Sequence, residues 1–375
     1  MDFCLSPKHA ARQIEFREFA DRELQPAGHT FPRDNLRKMA GRGYMGLPVP
    51  REWGGQGEDF FTYILLIEEI SRICASTGVI LAVHTSVGTF PLLYYGTQAQ
   101  KERYLPGLAR GELLGAFALS EAGAGSDAAA LRTSARRIEE GYCINGGKVF
   151  ITSGGEADLY TVFATLDKSL GSRGICAFLI EKGTPGLTVA PPEKKMGLHG
   201  SATTELQFTD LVVGADQLLG EEGKGFALAM SLLDGGRIGI AAQGLGLARA
   251  SLEATAAYLA SRLEKGDQVS QWARFTLADL FSRLEAARLL TYRAALLKEK
   301  GQPCSREAAM AKCFATDLAV EAAIRCIDLW PPDEYEGEYP LFRYFCDAKV
   351  TQIYEGTNQI QRLVISRDVL KTFHK

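Results

Sequence analysis

Four short stretches carry residue types able to handle a ligand. Ser120-Glu121-Ala122-Gly123-Ala124-Gly125-Ser126-Asp127 is a glycine-rich loop whose small side chains let backbone N–H groups approach an anionic or planar molecule closely. An ordinary turn has the same composition. From Asn145-Gly146 to Phe150-Ile151-Thr152, an aromatic and a hydroxyl flank one strand position, in a sequence that also reads as a plain hairpin. Asp234-Gly235-Gly236-Arg237 reads as the opening of a long apolar helix, where an aspartate is often a cap. Tyr354-Glu355-Gly356-Thr357-Asn358 sets a carboxylate beside a glycine just before the last helix, and a lone loop glutamate is as a rule solvated.

Other chemistries find no support. Gly141 to Lys148 nearly spells a phosphate loop, but its lysine comes one residue late and Val149 follows where a hydroxyl should bind magnesium. The glycines of Gly235-Gly236 and Gly244-x-Gly246 do not follow an expected strand, which argues against a dinucleotide fingerprint. Ser126 precedes Asp127 and Ser201 precedes Ala202, so neither sits in a nucleophile elbow. The eight cysteines are scattered with no C-x-x-C spacing, and the five histidines form no H-E-x-x-H, so no metal site is expected. Most cysteines have apolar neighbours and read as buried thiols of a reducing compartment.

The elements that must position these stretches come in three blocks. In the first, Ile14, Phe16, Phe19, Ala20 and Leu24 recur at helical spacing until Pro26. Pro48 to Gly57 is a turn-rich connector, and Phe60–Arg72 and Thr77–Tyr95 are again helical. Between about 116 and 218 short β-branched and aromatic runs alternate with turn residues, as at Asn145-Gly146-Gly147 and Pro185-Gly186. Helical periodicity returns from Gly225, with Ala-rich faces around 241–260, 277–297 and 307–327. We therefore expect domains at 1–115, 116–218 and 219–375. Forty-two basic against 45 acidic residues give a net charge of −3, which offers no field for nucleic acid or an anionic membrane. The longest apolar runs, near Val79–Val83 and Ile238–Ala242, fall short of the ~20 residues of a membrane span. The first residues show no signal peptide, which makes the cytoplasm the default, with a mature mitochondrial matrix form as the alternative.

In order and spacing, these segments resemble the acyl-CoA dehydrogenase family over nearly the whole chain. The resemblance rests on Met1-Asp2-Phe3-x-Leu5, Gly46-Leu47-Pro48-Val49-Pro50, Glu68-Glu69-Ile70-Ser71-Arg72 and Gly115-Ala116-Phe117-Ala118-Leu119-Ser120-Glu121. It continues through Leu219-Gly220-Glu221-Glu222-Gly223-Lys224-Gly225 and Gln352-Ile353-Tyr354-Glu355-Gly356-Thr357-Asn358-Gln359-Ile360-Gln361-Arg362. It is nearest to the short-chain, butyryl-type branch. The resemblance implies a mostly α fold with a central β domain: an N-terminal helical domain, a middle β-barrel and a C-terminal four-helix bundle.

It further implies oxidation of an acyl-CoA to the trans-2-enoyl-CoA on FAD, with electrons passed to an electron-transferring flavoprotein. A carboxylate removes the α-proton, which needs a water-poor site where its pKa rises towards neutrality. By the match Glu355 is that base, and Gly356 lets the thioester carbonyl sit close to the backbone. Some relatives carry the base just before the arginine of the Asp234–Arg237 segment; here that position is Gly236, which favours Glu355. Ser120 and Thr152 match residues bonding the flavin edge, Phe150 an aromatic packed on it, and Leu119, Gly125 and Ile151 their neighbours in the cofactor set. Ser126 matches a contact to cofactor and CoA, while Asp234 and Arg237 match the pantetheine arm. Thr357, Asn358 and Gln359 would meet cofactor phosphates at a helix start. A homotetramer, a dimer of dimers, is implied too. The alternatives are an enoyl-CoA reductase running in reverse and a non-catalytic paralogue.

The chain departs from the family in two places. Arg262-Leu263-Glu264-Lys265-Gly266 keeps only the arginine of the segment that reaches a neighbouring subunit's FAD, with Gln271 and Trp272 as the nearest replacements for the glutamine and phenylalanine that follow. Where relatives read Gln-x-x-Gly-Gly-x-Gly-Tyr, this chain has Asp328-Leu329-Trp330-Pro331-Pro332-Asp333-Glu334-Tyr335. Proline offers no N–H, and the added carboxylates, with Glu336 and Glu338, repel a pyrophosphate. The expectation is an intact flavin-ring site with the FAD tail held differently or weakly.

Overall fold

The computed structural model describes residues 4–330 and 339–373. Pro331 to Glu338, the proline-rich part of the second departure, lie outside the described residues.

The N-terminal block is helical: α1 (Pro7–Glu23), α2 (Arg33–Gly41), α3 (Phe60–Ile73), α4 (Ala75–Val83), α5 (Phe90–Tyr95) and α6 (Gln98–Arg110). Ser6 caps α1 through the His9 N–H, with Pro7 in the first turn, and Asp59 caps α3 through Thr62. The single helix expected over Thr77–Tyr95 starts instead at Ala75 and is interrupted by a π turn at His84–Thr89. That turn brings His84 to the sheet. Its Nδ1 accepts the Gly115 N–H at 3.1 Å, so its Nε2 donates to the Leu108 carbonyl at 3.1 Å. Burial holds this imidazole neutral, with its pKa down at about 4. Gly88 and Gly115 meet backbone to backbone, where a Cβ on either would come within about 3 Å of the other.

One sheet follows, of β1 (Gly115–Ala118), β2 (Ser134–Ile138), β3 (Gly141–Thr152), β4 (Leu159–Thr165), β5 (Ile175–Glu181), β6 (Leu187–Val189), β7 (Thr203–Gly214) and β8 (Leu218–Leu219). The order is β6-β7-β3-β2-β4-β5-β8, with β1 parallel to β4. The ladder ends at β6 and β8 instead of closing, so the barrel is not continuous in its hydrogen bonds. Alternate residues such as Tyr160, Val162, Phe178, Ile180, Leu206 and Phe208 form its core. Asn145-Gly146-Gly147, expected as a turn, lies inside the 12-residue β3 at a register shift. The Asn145 amide spans that irregularity, bonding the Asp210 N–H at 2.9 Å and Oδ1 at 3.0 Å.

The C-terminal block comprises α7 (Gly225–Glu264), α8 (Gln271–Glu299), α9 (Ser305–Leu329), α10 (Pro340–Thr351) and α11 (Asn358–Phe373). α7 packs on α9, α8 and α3, and small residues let it come close: a Cβ on Gly246 would meet the Glu68 carbonyl at 2.5 Å. Two fully buried carboxylates of α3 clamp it to α7 and α8. Glu69 accepts from Arg249 at 2.6 Å, while Glu68 accepts from Arg288 and the Tyr292 hydroxyl at 3.0 Å each. Two helical runs, Ala75–Tyr95 and Gly225–Glu264, do meet the length and hydropathy of a membrane span, contrary to the sequence reading. Their apolar windows are 94% and 61% buried inside the protein, as core helices are. Six of the eight cysteines are buried free thiols: Cys74, Cys143, Cys176, Cys304, Cys313 and Cys326.

Candidate active site

β3 and the glycine-rich loop build the first half of the site. A second register shift, between Lys148 and Ile151, turns the Val149 N–H away from β7 so that it donates to the Ser120 carbonyl at 2.9 Å. The same bulge places Phe150 at φ +59° and leaves its ring 67% exposed, while Ile151 is buried beside it. Such a φ is unusual for an aromatic, and it aims the ring outward. Lys148, fully buried, donates to the Leu119 carbonyl at 3.0 Å and to Glu121 at 2.7 Å. Glu121 in turn accepts the Arg132 and Thr133 N–H groups at 2.6 and 2.9 Å. Burial lowers the Lys148 pKa to about 8 against the pull of Glu121. Burial alone would raise Glu121, but bonds from Lys148 and Thr133 keep it below the usual carboxylate range. The brace thus draws Leu119 and Ser120 alongside Phe150 and Thr152. Gly125 and Ser126, at the loop tip, are exposed.

The second half is the turn between α10 and α11. Glu355 and Gly356 are both left-handed, at φ +55° and +83°. Gln361 Nε2 donates to both carbonyls, at 3.1 and 2.9 Å, and Lys312 Nζ donates to Gly356 O at 2.9 Å. A Cβ at Gly356 would lie 2.6 Å from Gln361 Nε2, so both conformation and space demand glycine. The preceding Tyr354 hydroxyl donates to Gln243, whose Nε2 donates to the Ala75 carbonyl at 2.8 Å. This turn folds the Glu355 carboxylate inward against Gly236, where a Cβ would come within 2.6 Å of Oε2. Glu355 Oε2 is buried and has no hydrogen-bond partner. Burial raises its pKa to about 7, with the charges of Arg237 and Lys312 opposing the rise.

Asp234-Gly235-Gly236-Arg237 lies inside α7 rather than at its opening, because α7 already begins at Gly225. Asp234 therefore caps nothing. It accepts from Arg237 at 2.9 Å and from the Ser305 hydroxyl. Asn358 is buried, its side chain committed to Lys312, Thr316 and Asp317 at 2.8, 2.9 and 2.7 Å. Its N–H and that of Ile360 already donate to Gln352 O and Thr357 Oγ1. Asn358 thus anchors α11, which leaves Thr357, half-buried, and Gln359, exposed, as the outward-facing pair. Arg262 stands apart. It lies 26 residues beyond Gly236 on the continuous α7, some ~39 Å at 1.5 Å per residue, and pairs with Asp267 at 2.7 Å.

Sequence reasoning missed Lys148, Lys312, Gln361 and Gln243. For Lys312 a signal existed: it shares the apolar stripe of Ala308, Ala311, Ala315 and Ala319, where a lysine needs a reason.

A proton acceptor poised near neutrality and an exposed aromatic shelf suit deprotonation of a carbon acid beside a planar cofactor. For a flavin the fit is sound. The outward Phe150 ring and the hydroxyls of Ser120 and Thr152 offer a face and an edge, and the orphaned Glu355 oxygen leaves a base uncommitted to any protein group.

Three family profiles match the chain: Acyl-CoA dehydrogenase, N-terminal domain over residues 6–112, middle domain over 116–211 and C-terminal domain over 223–370. An acyl-CoA dehydrogenase of Bacillus subtilis is 51% identical over 362 residues, covering 94% of this chain and 96% of the relative. A short-chain-specific acyl-CoA dehydrogenase of Clostridium acetobutylicum is 42% identical, over 99% and 100%. An acryloyl-CoA reductase (NADH) of Anaerotignum propionicum is 39% identical, over 99% and 96%. Among solved structures, butyryl-CoA dehydrogenase from Megasphaera elsdenii superposes with a TM-score of 0.93 at 40% identity, over 99% of this chain and 100% of that one. A chain solved in work on the electron transferring flavoprotein of Acidaminococcus fermentans gives 0.94 at 44%, with the same coverage.

Proposed function

The chain belongs to the acyl-CoA dehydrogenase family, and on that premise we propose that it oxidises a short-chain acyl-CoA to the trans-2-enoyl-CoA with Glu355 as the base. Electrons leave to an electron-transferring flavoprotein, and FAD, when bound, supplies the acceptor for the β-hydride. The observation that carries the reading is the buried, unpartnered Glu355 Oε2 held against Gly236.

Glu355 takes the α-proton. Its pKa of about 7 sits near working pH, so it is strong enough to accept a proton and still ionised in a useful fraction. The absence of a side chain at Gly356 leaves room for the thioester carbonyl beside the backbone. Ser120 and Thr152 orient the ring edge and Phe150 covers a face, with Leu119, Gly125, Ser126 and Ile151 completing the shelf. Asp234 and Arg237 meet the amides of the pantetheine arm, and Thr357 and Gln359 take the phosphate side. Arg262, remote from this chain's own base, serves a second copy in a homotetramer, the assembly typical of the family. A cytoplasmic location suits the six buried free thiols.

A visible spectrum of the purified protein before and after butyryl-CoA tests the reading. Flavin bands that bleach on addition support it, and Glu355→Gln should abolish both bleaching and α-proton exchange while thioester binding persists. Near-normal bleaching in that variant removes Glu355 from the role. The reductase relative motivates one second reading, the reverse direction, in which protonated Glu355 returns the α-proton. Steady-state rates with enoyl-CoA and acyl-CoA separate the two.

A further inference from the structure

We infer that Lys312 is a positioning residue for Glu355, tying down the turn that carries it and bringing a buried ammonium to that turn; this rests on the reading of Glu355 as the base.

Lys312 is 0% exposed on α9, a rare place for an ammonium. Its two hydrogen bonds go to neutral acceptors, Gly356 O at 2.9 Å and Asn358 Oδ1 at 2.8 Å, and it forms no ion pair among the described residues. A neutral donor could satisfy both acceptors, so hydrogen bonding alone does not call for a full charge. The charge falls on Glu355, which stands first among the groups opposing the effect of burial on Lys312. Arg237 is the larger of the two charges acting on Glu355, and it is itself ion-paired with Asp234 at 2.9 Å. Other groups facing the pair are Cys313 and Asp317 on α9, the buried Tyr63 of α3, Tyr354 in the turn, and Arg362 of α11, which binds Asp317 at 2.7 Å. Lys312 is thus a buried cation that acts on Glu355 and has no ion pair of its own among the described residues. Its bond to Gly356 O also helps hold two successive left-handed residues, a conformation unfavourable for Glu355 that needs fixing from outside.

The test compares Lys312→Gln, Lys312→Met and Lys312→Arg. The readouts are the pH dependence of kcat/KM and the carboxyl band of Glu355, isolated by infrared difference against Glu355→Gln in each background. Gln and Met should move both the acidic limb and the carboxyl titration alkaline by about 0.5–1 unit, whereas Arg leaves them in place. A folded Lys312→Gln with both unmoved makes Lys312 merely structural and overturns the inference, as does an Arg variant that shifts as far as Gln. Asn358→Asp keeps Lys312 but sets a carboxylate against it, and should also move the titration alkaline. No movement there overturns the inference even if Gln and Met fail to fold. Bleaching that survives Glu355→Gln would instead remove the base itself, a separate outcome.

Discussion

Glu355 and Gly236 share one small volume, and each constrains the other. A methyl group at position 236 would lie within 2.6 Å of Oε2, so Gly236→Ala should push the carboxylate out of line and lower kcat by about 100-fold, the cost typical of a ~1 Å misplacement. Unchanged secondary structure with that loss would confirm a local cause. The raised pKa also bears on stability. A carboxyl whose folded pKa of about 7 exceeds its unfolded value of about 4.5 contributes stability that is complete below pH 4.5 and lost as pH rises through 7. In the ligand-free protein, Glu355→Gln should therefore be neutral near pH 4.5 and stabilising by about 1–3 kcal/mol at pH 8, measured by denaturant unfolding at both values. A variant less stable than the parent at pH 8 contradicts this. The proposed base was legible only through the motif around it. A lone loop glutamate carries no sign of burial, and what buries Glu355 is α7, more than a hundred residues earlier. Lys312 could have been found from its place in an alanine stripe.

At the scale of elements, periodicity marked α1, α3 and the long C-terminal helices, because each buries a face at regular spacing. It failed where local chemistry has two outcomes. Asn145-Gly146 supplies the positive φ that a hairpin turn needs, but Gly146 at φ +140° serves a bulge in a continuous strand instead. Asp234-Gly235-Gly236 looked like a helix start because two glycines cost a helix about 1 kcal/mol each. At Gly236 the glycine is what clears Glu355, whereas a Cβ on Gly235 would meet only ordinary contacts with Lys298 and Phe60. The helices on which these elements rest depend on the buried Glu68 and Glu69. Arg249→Met would leave Glu69 with only the longer Arg72 contact at 3.4 Å, Glu68 keeping Arg288, and should destabilise the protein by about 3 kcal/mol, read as a lowered denaturant midpoint at unchanged slope. A change within 1 kcal/mol would show that Arg288 and Arg72 suffice.

For the whole molecule, the order of helices, sheet and helices was plain from composition, whereas the separation of Arg262 from Gly236 and Glu355 emerges only from the unbroken length of α7. Trp272 and Phe275, at 58% and 61% exposed on α8, lie just beyond it and present apolar area suited to a second copy. If Arg262 serves a neighbour's cofactor, dilution that dissociates the assembly should release flavin in step with loss of mass, followed by light scattering and absorbance together. Flavin retained by monomers contradicts that arrangement. The bare contact of Gly88 with Gly115 has a consequence of its own. With no side-chain layer between them to act as a lubricant, and with the His84 imidazole pinned on both of its nitrogens, the N-terminal helices cannot shear across the strands. That seam is accordingly a stiff one, held by main chain rather than by side chains that could repack.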